Sequence, residues 1–260
     1  MRFLAGAATH IGTTKNTNQD SLTIKLGRCG NKNIAMAVLC DGMGGLQRGE
    51  VASGLTVRKF SEWLEGYLPA IIKEEKEGMV FDKIQSQWNT LLEEINHKLN
   101  NYGKENRVNV GTTITAILII DDEYVIANVG DSRTYLLGEN ISQITEDQSL
   151  IAREIKCGRL TEEQAKTDPR RNVLFQCIGA TPNLEIEYYR GKVCEGDGVL
   201  LCSDGFRHMV SSDELFVWMN PKHTDSEEII ENKLSQLIRI NMDRGETDNI
   251  TAAYIKVSQE

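Results

Sequence analysis

An α+β fold, built of antiparallel sheets with helices packed on their outer faces, is what this sequence predicts. Strand-like segments come in runs, helix-like segments come in pairs between the runs, and the βαβα alternation of a parallel doubly wound sheet is missing. No Pro/Gly/Ser-rich linker, repeat or low-complexity tract divides the 260 residues. One domain over residues 1–260 is therefore expected, long enough to bury a sizeable core.

Taken in order, residues 2–9 read as a first strand, and 20–26 alternate with Leu22, Ile24 and Leu26 on one face. A Gly/Asn-rich turn over 28–33 leads to Ala35-Met36-Ala37-Val38-Leu39-Cys40, an unbroken apolar run that reads as a strand buried on both faces. From Gly49 the period becomes helical, with Val51, Ala52, Leu55, Phe60, Trp63, Leu64 and Tyr67 making an amphipathic face. A second helix follows through Ile84, Trp88, Leu91, Leu92, Ile95, Leu99 and Tyr102, and its aromatic stripe is expected to be core. Strands return at 111–120, 124–129, 134–137 and 141–144. Residues 148–176 are irregular and polar, with a capping box at Thr161-Glu162-Glu163-Gln164. Strands at 184–190 and 199–203, a helix capped by Ser211–Glu214, a longer helix through Ile230, Leu234, Leu237 and Asn241, and a strand at 250–257 complete the chain.

The formal net charge of −9 argues against a nucleic-acid or anionic-membrane partner. No apolar run reaches transmembrane length, and no signal peptide is visible before His10 and Lys15. The six cysteines lie far apart with no Cys-x-x-Cys pair, which predicts a reducing cytosol, no disulfide framework and no zinc site.

Chemistry concentrates at Asp41. It ends the apolar run and is followed by Gly42, Gly44 and Gly45. Asp-Gly after a strand is most often only a turn. Yet Asp20, Asp131, Asp204 and Asp248 repeat the same pattern, each standing where a strand meets a tight turn. Five carboxylates converging at one end of packed sheets would repel prohibitively without cations. Their donors are all oxygen, which favours Mg²⁺ or Mn²⁺, and their number suggests a two-metal site suited to phosphate-ester hydrolysis. A cysteine-phosphatase reading of Cys202-Ser203-Asp204-Gly205-Phe206-Arg207 fails, because the loop is one residue short and Asp204 would oppose a phosphate. Neither a Gly-x-x-x-x-Gly-Lys-Ser/Thr loop nor a Gly-x-Ser-x-Gly elbow is present.

Six stretches, in order, resemble the motifs of metal-dependent serine/threonine protein phosphatases of type 2C, bacterial type. They are Lys15–Asp20, Val38–Gly45, Gly111–Thr113, Asn128–Arg133, Leu201–Gly205 and Thr247–Thr251, so the resemblance covers nearly all of the chain. It implies a four-layer β-sandwich of two antiparallel sheets flanked by helix pairs, with a flap over about 148–176 beside the active site. By position, Asp41 would bridge two metals, with the Gly42 carbonyl on one of them. Asp204 and Asp248 would serve the other, Asp20 would act through metal-bound water, and Asp131 would belong to a weaker third site. A metal-bridging hydroxide would attack phosphorus directly, without a phosphoenzyme. The expected partners are phosphoprotein substrates and an opposing serine/threonine kinase, with the protein a cytosolic monomer.

Four positions depart from the family's usual pattern. Lys15 stands where an arginine commonly grips the phosphate, and a point charge replaces a two-pronged fork. Met43 occupies the place of a histidine proposed as general acid in animal members, as it does in bacterial-type ones; Leu46 replaces a frequent histidine. His208 stands where a second third-metal carboxylate is often found, and would weaken that site or favour Mn²⁺, unless it is an ordinary packing histidine. Two rival functions remain at this stage: a catalytically silent binding or regulatory module, and a hydrolase of small phosphate esters on the same scaffold.

Overall fold

The computed structural model of the protein describes residues 1–43, 48–74, 79–165 and 168–258. Its strands are β1 (Arg2–His10), β2 (Ser21–Cys29), β3 (Lys32–Cys40), β4 (Ile114–Ile120), β5 (Glu123–Val129), β6 (Arg133–Leu137), β7 (Ile141–Gln143), β8 (Glu187–Lys192), β9 (Gly198–Cys202) and β10 (Ile250–Ser258). They form two five-stranded sheets, in the orders β1-β10-β9-β6-β7 and β2-β3-β4-β5-β8, and every pairing is antiparallel. The helices are α1 (Gly49–Gly66), α2 (Leu68–Lys73), α3 (Val80–Asn106), α4 (Leu150–Lys156), α5 (Glu162–Ala165), α6 (Asp204–Arg207), α7 (Ser212–Met219) and α8 (Glu227–Asp243). Among the described residues no helix is long and apolar enough to cross a membrane.

Strand β3 shows how the layers arise. Ala35, Ala37 and Leu39 face the other sheet and pack with Leu201, Ala253 and Ile255. The alternate residues Met36, Val38 and Cys40 face outward, against Phe60 and Trp63 of α1 and Trp88 and Leu92 of α3. A strand covered on both faces needs an apolar residue at every position, which is why its sequence does not alternate. On the far side Leu200, Cys202, Ala252 and Tyr254 meet Leu215 of α7 and Leu234 and Leu237 of α8. The result is the expected helix–sheet–sheet–helix stack. The aromatic stripe is core: Trp88 packs with ring centroids 5.2 Å from Phe60 and 5.5 Å from Trp63.

Several boundaries differ from the periodicity. Pro69 falls in the first turn of α2, where its missing N–H costs nothing, and a short helix restarts there after Tyr67. Strand β4 begins only at Ile114, because Thr112 makes isolated bridges to Gly42 and Ile178. Strand β8 begins at Glu187, since Leu184 and Ile186 first pack under the helix layer. Leu26, which alternation groups with Leu22 and Ile24, is exposed near the end of edge strand β2. The polar stretch before β8 carries α4 and α5. There Thr161 Oγ1 accepts from the Gln164 N–H, while Gln164 Oε1 accepts from the Thr161 N–H, completing the expected capping box.

Candidate active site

All five aspartates singled out by the sequence sit where strands, or the loops entering them, open at one end of the two sheets. Asp41 leaves β3 with its backbone fully engaged. Its N–H donates to Thr113 Oγ1 (3.0 Å), and its carbonyl accepts from the Thr113 N–H (2.8 Å) and Thr112 Oγ1 (2.9 Å). Thr113 Oγ1 also lies 2.8 Å from Ser132 Oγ, so the Gly-Thr-Thr and Asp-Ser-Arg stretches meet behind Asp41. The Gly42 N–H donates to the Gln19 carbonyl (3.1 Å), and a side chain at Gly42 would lie 2.5 Å from that oxygen and from the Gly49 backbone. Only glycine admits this approach. Gly44, Gly45 and Leu46 lie outside the described residues. Met43 Sδ packs on Cys177 Sγ.

Asp248 is set by the loop between α8 and β10. Its Oδ1 accepts from the Asn249 N–H (2.8 Å) and pairs with Lys15 Nζ (2.8 Å). Asn249 ties that loop to residues 11–19: its Oδ1 accepts from the Gln19 N–H, and its Nδ2 donates to the Ile11 and Thr17 carbonyls. Gly12, at φ +83°, lets the same segment pass over the Asp248 carbonyl, where a side chain would collide. The ends of the chain thereby bring Lys15 and Asp20 to Asp248.

The carboxylates behave as one charge cluster. Burial pushes the Asp20 pKa up to about 7; the nearby Thr251 and Ser203 hydroxyls oppose the rise, and the charges of Asp204 and Asp248 add to it. Neither Asp20 oxygen has a hydrogen bond of good geometry, although both are buried. Burial, then the charges of Asp20, Asp204, Asp131 and Asp248, hold Asp41 well above the usual carboxylate range. Asp131 is likewise raised to about 7 by burial and by Asp204, with Arg207 opposing. Lys15 is the cation among them: burial lowers its pKa, but the bond to Asp248 and the charges of Asp41 and Asp204 leave it raised.

Such a set fits hard divalent cations. Every donor is oxygen, both Asp20 oxygens are buried without a hydrogen bond of good geometry, and Lys15 with Arg207 leaves five carboxylates short of positive charge. Among the described residues, no three of these side chains are already closed about a single point. The rival thiol chemistry finds no support, because burial pushes the Cys202 pKa to about 12 despite Arg207 and Arg133 nearby.

Asp147, Arg207 and Glu246 stand in or beside this site, and no local sequence pattern assigns them there. Asp147 receives Arg133 on both oxygens (2.8 Å each) and Arg207 Nη2 (3.2 Å), and Arg207 reaches on to the Asp131 carbonyl (3.1 Å). Glu246 bonds His208 Nδ1 (3.1 Å). The acid two residues before Asp248 was the available hint for Glu246. A cleft of about 970 Å³ opens beside Asp131 and His208, bounded by α4 and lined by Arg153 and Phe175, whose ring lies 4.3 Å under the Arg153 guanidinium.

The family model described as Protein phosphatase 2C matches residues 8–238. The protein phosphatase PhpP of Streptococcus pneumoniae is 29% identical over 255 residues, 97% of this chain and 96% of that protein. The serine/threonine phosphatase Stp of Listeria monocytogenes is 32% identical over 228 residues, 86% of this chain and 85% of the relative. The catalytic domain of the phosphatase PstP, solved in complex with two manganese ions, superposes with a TM-score of 0.78 at 25% identity over 99% of both chains.

Proposed function

The chain belongs to the protein phosphatase 2C family, and we propose that it hydrolyses phosphoserine and phosphothreonine in proteins with Mn²⁺ or Mg²⁺. The observation that carries this reading is the cluster of Asp20, Asp41 and Asp131 facing Asp204 and Asp248, whose burial and mutual repulsion Lys15 and Arg207 only partly offset. In it Asp41 would hold both ions, with the Gly42 carbonyl a further oxygen donor. Asp204 and Asp248 would hold the second ion, Asp20 would act through an intervening water, and Asp131 would serve a third, weaker site. The ions supply a water of lowered pKa and a clamp on the oxygens of an in-line displacement.

The remaining steps fall to the protein. Lys15 Nζ, already beside Asp248, offers a positive charge for the phosphate. Thr112 and Thr113 fix the Asp41 backbone so that its carboxylate need not reorganise as charge develops. The stretch of about 148–176, of which residues 166 and 167 lie outside those described, acts as the flap of a single domain, and the cleft beside α4 receives the polypeptide around the phosphorylated residue. An opposing serine/threonine kinase, a monomeric state and a cytosolic location belong to the same reading.

The test compares phosphate release from a phosphothreonine peptide and from p-nitrophenyl phosphate, with Mn²⁺ and with EDTA. Metal-dependent turnover of the peptide supports the proposal. Turnover of the small ester alone would point to a small-ester hydrolase, and turnover of neither would leave a silent binding module.

A further inference from the structure

Asp204 heads helix α6 just after β9 and Asp248 stands in the loop between α8 and β10, yet their carboxylates must meet if they share a cation. The backbones are aligned up to a point. Strands β9 and β10 pair with Cys202 opposite Ala252, and the Ser203 N–H donates to the Thr251 carbonyl (3.0 Å). Beyond that ladder the strands no longer dictate where the side chains stand. Glu246, 4% exposed, fills the gap. Its Oε1 accepts from the N–H groups of Thr247 (2.7 Å) and Asp248 (2.9 Å), which fixes the backbone that carries Asp248. Its Oε2 lies 3.1 Å from His208 Nδ1, and His208 Nε2 lies 3.6 Å from Asp204 Oδ2. His208 is anchored in turn, since its N–H donates to the Asp204 carbonyl (3.1 Å). One imidazole therefore spans Asp204 and the residue that shapes the Asp248 loop.

We propose that Glu246 and His208 are positioning residues, a brace that sets the separation of Asp204 and Asp248 so that both present oxygens to one divalent cation. The proposal rests on the carboxylate cluster being a metal centre. It also gives His208 a role other than ligand or simple packing: both ring nitrogens face carboxylates, and the ring works through them. Partners of this kind, one shell behind the ligands, orient carboxylates, and losing them typically weakens metal affinity by about 10- to 100-fold.

The test is calorimetric titration of the metal-stripped full chain with Mn²⁺, alongside its Tm, for wild type, Glu246→Ala, Glu246→Gln, His208→Ala and the Glu246→Ala/His208→Ala double variant. Each alanine variant should weaken Mn²⁺ binding roughly 10-fold or more. The double variant should be little worse than either single one, because each breaks the same brace. Glu246→Gln keeps an oxygen for the two N–H groups and should recover most of the affinity. Lower Tm with unchanged Mn²⁺ affinity, or losses that simply add, would overturn the brace. A wild-type chain that binds no Mn²⁺ would overturn the metal centre and the brace together, whereas wild-type binding that every variant shares would overturn the brace alone.

Discussion

Lys15 Nζ lies 2.8 Å from Asp248 Oδ1, which closes the loop between β1 and β2 onto the carboxylate that precedes β10. The contact stations a cation at the acidic cluster, but as a point charge. A guanidinium would present two parallel donors to a phosphate. Lys15→Arg should therefore lower the KM for a phosphothreonine peptide by about threefold or more, with kcat little changed. Steady-state kinetics on the two proteins decide this, and an unchanged KM would contradict it.

Asp20 offers two buried oxygens, neither with a hydrogen bond of good geometry. Without metal its charge works against the fold. Asp20→Asn should raise the Tm of the EDTA-treated protein while lowering Mn²⁺-dependent turnover, a trade of function for stability. Paired thermal melts with and without Mn²⁺ check it, and a lower Tm in EDTA would be the wrong sign.

Much of this was legible beforehand. The unbroken run at 35–40 announced a strand covered on both faces, and five strand-end aspartates announced one charged site. The rest depends on contacts that no local pattern carries. Arg207 and Asp147 are 60 residues apart in the chain, and His208 and Glu246 are 38 apart. Helix α6, at four residues, is too short to show a period, and Arg207 stood out only as part of a cysteine loop that fails. The departure of β8 from its expected start has the same origin, since Leu184 and Ile186 are apolar for the helix layer and not for a strand.

Asp147 is buried between Arg133 and Arg207. Burial pushes its pKa up, but the Arg207 charge and the Arg133 hydrogen bond outweigh that and leave it lowered. Its stabilising contribution is thus complete above the unfolded value of about 3.9 and is lost as pH falls through the lower folded value. Asp147→Asn leaves two arginines short of a counter-charge and should cost about 3–5 kcal/mol near neutral pH. Denaturant melts from neutral pH down to about pH 2 should show a shallower acid loss in the variant than in wild type.

Trp88 is fully buried against Phe60 and Trp63 in the helix layer. Trp88→Ala should destabilise the fold by about 3–5 kcal/mol through the cavity it leaves. At temperatures where the variant is folded, its Mn²⁺ affinity and its KM should match wild type. A selective loss of either would place this stripe in the active site after all.

The central claim is that Asp41 joins two divalent ions that hydrolyse phosphoserine and phosphothreonine. Its most direct test is Mn²⁺-dependent phosphate release from a phosphothreonine peptide by wild type and by Asp41→Asn, with folding of both verified by circular dichroism. The account predicts turnover by wild type that EDTA abolishes, and a loss in the variant of about 100-fold or more. Equal turnover by the two proteins, or wild-type activity that survives EDTA, would contradict it.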